Sequence, residues 1–98
     1  MSLFELTAFQ RDLLFIIAMV DEPSGQELKD QFEEETTATV NRGNIYPNLN
    51  TLTERGFINK ESRDCRTNCY SLTQQGRSCL HQRHKWEQEH LAGAQQTV

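Results

Sequence analysis

The 98 residues amount to one domain, 36% apolar, whose core is small enough that pairing with a second copy would help it. The longest apolar run, the eight residues Leu13 to Val20, is far short of the roughly 20 that cross a bilayer, and Met1-Ser2-Leu3-Phe4-Glu5 lacks a signal peptide's basic region, so a soluble, cytoplasmic protein with no membrane partner is expected. A net charge of −4 excludes a uniformly basic nucleic-acid binder, yet residues 1–35 hold nine acids against two bases and residues 36–85 eight bases against three acids, a polarity that would orient the chain on a polyanion.

Thr7 is placed to cap a first helix running to about Met19. Leu13 to Met19 is apolar almost all round and needs cover on every side, one face of which a partner subunit would supply. Leu3, Phe4, Leu6 and Phe9 extend that patch. Asp21-Glu22-Pro23 breaks the chain. Ser24, with Glu27 three places on, makes a capping box for a second helix in which Leu28 and Phe32 face the core. Glu33, Glu34 and Glu35 crowd the unfavourable end of its dipole, with no folding reason in the sequence. Thr36 to Val40 reads as the turn.

Asn41 caps a third helix with Ile45, Leu49 and Leu52 on the inward stripe. The opposite side carries Asn44, Pro47, Asn50, Thr51 and Glu54, with Asn48 on the flank. Pro47 removes the backbone bond to Gly43, which points to a start that is short, bent or shifted by a residue or two. Arg55-Gly56 ends the helix. Phe57 to Glu61 and Thr67 to Leu72 are β-like and flank a hairpin tip, Ser62 to Arg66. Thr73 caps a last helix reaching about Leu91, whose sparse apolar positions, Cys79, Leu80, Trp86 and Leu91, suit packing along a neighbouring helix. Ala92 to Val98 reads as a frayed tail.

The expected fold is mainly α with a small β-hairpin, in the order of a winged helix-turn-helix. Gly43-Asn44-Ile45-Tyr46-Pro47, Leu49, Leu52 and Gly56-Phe57-Ile58, followed by Tyr70-Ser71-Leu72-Thr73 and Gly76, resemble the PadR family of transcriptional regulators over about Leu13 to Leu80. Acidic composition and seven arginines against three lysines give a flavour similar to haloarchaeal members. The resemblance implies a homodimeric regulator of double-stranded DNA, usually a repressor, with the third helix in the major groove, the wing on the backbone or minor groove, and the N- and C-terminal helices forming the dimer. A dimer of that kind predicts an inverted-repeat operator. Two departures stand out. Family members often carry lysine or arginine where this chain has Asn50 and Thr51, and the larger C-terminal domain of longer members is missing, which leaves a small-molecule effector unassigned.

On this reading, Asn44 and Asn48 present amides suited to the N6/N7 edge of adenine, and Asn48→Ala should relax preference at one base pair. Arg42, at the helix start, suits a phosphate or a guanine. Thr51 offers a hydroxyl to the backbone or a methyl to thymine, and Tyr46 is half core with its hydroxyl toward a phosphate. Lys60, Arg63 and Arg66 are the wing's cations, with an ordinary solvated turn as the plainer alternative. Asparagines that merely cap or face solvent are the corresponding alternative on the helix.

Cys79-x-His81-x-x-His84 falls short of the four ligands with paired spacings that zinc favours, and Cys65 and Cys69 belong to the wing, so no metal or other cofactor is expected. The thiols are expected reduced, with oxidation at Cys65 or Cys69 the alternative. No phosphate loop or nucleophile–base spacing suggests an enzyme. The rival use of the fold is a protein-binding module working through its acidic second helix, without DNA.

Overall fold

Each of the first three helices begins at a side chain able to satisfy its free amides. The Thr7 hydroxyl accepts from the Gln10 N–H, and the Gln10 side chain accepts from the Thr7 N–H, both at 3.1 Å. Ser24 and Glu27 make the same reciprocal pair, and the Asn41 side chain accepts from the Asn44 N–H at 2.9 Å. Such caps contribute about 1 kcal/mol each. The computed structural model describes residues 5–96. Its elements are α1 (Ala8–Met19), α2 (Gly25–Glu35), α3 (Arg42–Glu54), β1 (Ile58–Ser62), β2 (Asn68–Leu72) and α4 (Gln74–Gln96). Leu3 and Phe4 lie outside the described residues.

The core forms where α1, α2, α3 and the hairpin root meet. Leu13, Leu14, Leu28, Ile45, Leu49, Leu52 and Phe57 are fully buried there. Phe9 packs on Phe32 with ring centroids 4.9 Å apart. Helix α1 is covered on one broad side: Ile16 and Ile17 are buried, whereas Ala18 and Met19 are exposed.

The hairpin is antiparallel, in register from Ile58↔Leu72 to Ser62↔Asn68. Asp64 shapes its tip by accepting from the Arg66 and Thr67 N–H groups at 2.8 and 2.9 Å. Strand β2 is fastened to the α1–α2 turn, because the Tyr70 N–H donates to the Pro23 carbonyl at 2.9 Å and Ser24 pairs with Cys69 in an isolated bridge. The Thr73 hydroxyl donates to the Gly56 carbonyl at 2.6 Å and accepts from the Gly76 N–H at 3.0 Å. At Gly76 a Cβ would collide with the Phe57 carbonyl oxygen. The threonine–X–X–glycine run therefore joins the end of α3, the start of β1 and the first turn of α4.

Three expectations are corrected. Helix α3 starts at its expected cap despite Pro47, which lies inside it; Gly43 and Pro47 are both exposed, so water can serve the carbonyl that the proline leaves unbonded. Helix α4 continues to Gln96, through the stretch expected to fray, where Ala92, Ala94, Gln95 and Gln96 are strong helix formers. Glu33 does have a folding role. Its carboxylate accepts from Lys29 Nζ at 3.0 Å and from the Val40 N–H at 2.8 Å, pinning the α2–α3 turn.

Past Leu80, α4 leaves the domain, with only Arg83 and Glu87 partly covered among residues 81–94. The described chain is accordingly elongated, 54 × 29 × 22 Å.

Candidate nucleic-acid interface

The outer side of α3 presents Asn44, Pro47, Asn50 and Glu54, all exposed and three or four residues apart. The Asn44 side chain makes no hydrogen bond within the described residues, so both halves of its amide remain available. Asn48 differs. Its Oδ1 accepts from Gln10 Nε2 at 2.9 Å, and its Nδ2 donates to the Asn44 carbonyl at 2.6 Å. It ties α3 to α1 through the buried Gln10. The Thr51 hydroxyl donates back to the Pro47 carbonyl at 3.0 Å, which leaves its methyl and a lone pair for any outside contact.

A cleft opens beside this face, lined by Ser24, Gln26, Arg42, Tyr46, Arg66 and Tyr70 among others. Tyr46 reaches it half-buried, its ring lying over Gly25, where a Cβ would overlap it. Arg42 enters from the start of α3, its Nη2 3.3 Å from the Gln26 side-chain oxygen. Arg66 comes from the wing with no side-chain partner among the described residues, and Lys60 on β1 is equally unpartnered and exposed. Burial, reinforced by Tyr46 nearby, pushes the Tyr70 phenol up and keeps it protonated. Cations from α3 and from the wing thus share one side of the molecule with the first turn of α2.

Arg63 is occupied differently from the expected free tip cation. Its Nη1 donates to the Glu27 carboxylate at 2.9 Å and its Nη2 to the Glu22 carbonyl at 2.6 Å. The Ser24 amide, and after it the Arg63 guanidinium, hold the Glu27 carboxyl below the usual range. Of the cysteines, Cys65 is exposed at the tip, while Cys69 and Cys79 are buried. No group of three His, Cys, Asp or Glu side chains converges among the described residues. Nor is any described helix long and apolar enough to cross a membrane.

The family model for the PadR-like transcriptional regulators matches residues 13–82, most of the chain. The chain belongs to the PadR-like family. A solved structure of RosR from H. salinarum is 34% identical, with a TM-score of 0.82, covering 88% of this chain and 77% of RosR. PadR from Bacillus subtilis, solved in complex with operator DNA, is 27% identical with a TM-score of 0.66, over 78% of this chain and 47% of that one. FabT from Streptococcus pneumoniae, solved in complex with DNA, shares the fold at 16% identity and a TM-score of 0.74, over 96% of this chain and 63% of FabT. A search of the curated proteins finds no match. The PadR-like family is one of transcriptional regulators.

Four residues that sequence reasoning left out belong to this face of the PadR-like protein: Gln10, Gln26, and the pair Glu22 and Glu27 that hold Arg63. Gln10 and Glu27 carried a local signal, since Thr7-x-x-Gln10 and Ser24-x-x-Glu27 both have the spacing of a capping box. The ties to Asn48, Arg42 and Arg63 join distant parts of the chain, and nothing local announces them.

Proposed function

We propose that this PadR-like protein binds double-stranded DNA as a homodimer and acts as a repressor, in a single domain whose dimer contacts come from α1 and from α4, above all residues 73–91. Helix α3 enters the major groove, with Asn44 reading a base edge and Arg42 meeting a phosphate or guanine at its start. Asn48 and Thr51 line the flank of the same contact, Thr51 with its methyl and remaining lone pair, Asn48 with the amide hydrogen and lone pair left over by its bonds to Gln10 and the Asn44 carbonyl. Tyr46 aims its hydroxyl at the backbone across the cleft, and Lys60 and Arg66 steady the sugar–phosphate chain from the wing.

The observation that carries the reading is the unengaged amide of Asn44 on an exposed helix face, close in sequence to Arg42, which shares a cleft with the unpartnered Arg66 of the wing. The relatives named above supply the precedent, since PadR from B. subtilis was solved on operator DNA. The homodimer is supported by the bare arm of α4, where Trp86 and Leu91 are 37% and 64% exposed, and by the exposed Met19. An isolated helical arm draws its stability from packing, which a second copy would supply. Two α3 helices about 34–36 Å apart would meet successive major grooves, giving an inverted repeat with half-sites one turn apart.

Against the protein-binding alternative, Glu27 and Glu33 of the acidic helix are engaged within the fold and Glu35 accepts from Gln31 at 2.8 Å. Recovery of bound genomic fragments, followed by gel shifts and footprints on the recovered site, tests the proposal. A protected inverted repeat is expected; failure to retard any fragment at any salt concentration would refute it.

A further inference from the structure

Arg63 is set apart from the other cations of the interface because both terminal nitrogens of its guanidinium already have protein acceptors. The acceptors lie on different elements. Glu27 is in the first turn of α2, whereas Glu22 is in the α1–α2 turn, where it holds a φ of +45°. Glu27 is itself fixed in place, since the same Oε1 that accepts from Arg63 accepts from the Ser24 N–H at 3.1 Å. Along β2, the Tyr70 N–H to Pro23 bond and the Ser24–Cys69 bridge reach the same short turn. The wing is therefore tied to residues 22–27 both at its tip and along β2.

We propose that Arg63 and Glu27 are positioning residues that set the angle of the wing to the α2–α3 unit, so that Lys60 and Arg66, not Arg63, meet the DNA backbone. The assignment rests on the DNA-binding reading above. A single exposed ion pair adds little to stability. A planar fork with acceptors on two elements instead fixes direction, which a lysine, a point charge on a flexible stem, does not. Direction matters here because a two-stranded hairpin is marginal without outside ties. A guanidinium held against a carboxylate also offers a phosphate little net charge.

Direct contact and positioning predict opposite signs. If Arg63 gripped a phosphate, Arg63→Ala would lower the salt dependence of binding by about one ion, Arg63→Lys would preserve it, and removing the Glu27 charge would tighten binding. Under positioning, Glu27→Gln weakens binding although it removes a negative charge, and it does so without losing the capping box, which glutamine also completes.

The test uses the full chain and a duplex selected from genomic DNA. Affinity is read by fluorescence anisotropy across a salt series for Arg63→Ala, Arg63→Lys, Glu27→Gln and the Arg63→Ala/Glu27→Gln double variant. Independently, a spin label on the exposed Cys65 reports wing mobility without DNA, since Cys69 and Cys79 are buried. Both Arg63 variants are expected to weaken binding by about tenfold, roughly 1.4 kcal/mol, with an unchanged salt slope. Glu27→Gln should weaken it less, the double variant should be no worse than Arg63→Ala, and the label should move more freely in each. A slope reduced in Arg63→Ala but retained in Arg63→Lys, with tighter binding by Glu27→Gln, overturns the proposal. So does unchanged label mobility. Should no duplex bind the wild type, the DNA reading fails, and the spin label alone still decides whether the pair holds the wing.

Discussion

Two asparagines one turn apart on α3 have different occupations, and the difference decides what each substitution should do. The Asn44 amide faces out with no partner, so Asn44→Ala should leave the fold intact and relax selectivity at one base pair by about 1–3 kcal/mol, read by binding to a library of randomised sites. Asn48 is bonded to Gln10 and to the Asn44 carbonyl. Asn48→Ala strands the buried Gln10 amide and should cost about 1–3 kcal/mol in denaturant unfolding, whatever it does to base preference. Unchanged unfolding would show that the tie contributes nothing. The sequence made Asn48 legible as a helix-face amide but hid its partner, because Gln10 lies 38 positions earlier. Arg63 and Glu27 are separated by 36 and were hidden for the same reason. Helical periodicity reports which face a residue is on, and says nothing about what faces it.

At the scale of elements, local signals were sufficient wherever the chain stabilises itself locally. Thr7, Ser24 and Asn41 were readable as caps, and two β-rich runs around one turn marked the hairpin, whose tip lies at residues 63–67, one position later than its composition suggested. Gly76→Ala should force α4 away from the Phe57 carbonyl and destabilise the fold by about 1–3 kcal/mol in thermal or denaturant unfolding. The length of α4 was not legible, because its sparse apolar positions gave no periodicity to follow. Neither was the use of Glu33, whose partner Val40 is presented by a turn.

The acid limb of stability belongs to the same scale. Glu27 is held low by the Ser24 amide and then Arg63, Glu33 by the Val40 amide and then Lys29, and Asp64 chiefly by the Arg66 amide. Carboxyls lowered on folding contribute stability that is fully present above their unfolded values, near about pH 4, and that is lost as pH falls through the folded values. Unfolding followed by circular dichroism should therefore show a loss of stability confined to acid, below about pH 4.5, and flat behaviour across neutral pH from these groups. A loss centred near neutral pH would contradict this assignment.

For the whole molecule, the decisive features are polarity of charge and the uncovered arm. Arg42, Lys60 and Arg66 are few for a DNA-binding surface, so the salt dependence of binding should be shallow, with each lost cation removing about one unit of slope. Arg66→Ala should do so, while leaving base preference unchanged. The arm makes a separate demand. Leu91 is 64% exposed in the single chain, so Leu91→Asp should leave the fold of the domain unharmed. In a dimer packed through α4 it should weaken self-association by about tenfold or more, as an unpaired charge in an apolar contact does. Sedimentation velocity against protein concentration would check this.

The most direct measurement is a hydroxyl-radical footprint of the wild-type chain on genomic fragments that it selects, repeated with Asn44→Ala. Two protected half-sites in inverted repeat, centred about one helical turn apart, are expected, with the variant retaining backbone protection but losing discrimination at one symmetric pair of bases. A single unpaired footprint, or selectivity untouched by the loss of the Asn44 amide, would contradict the docking of α3 described here.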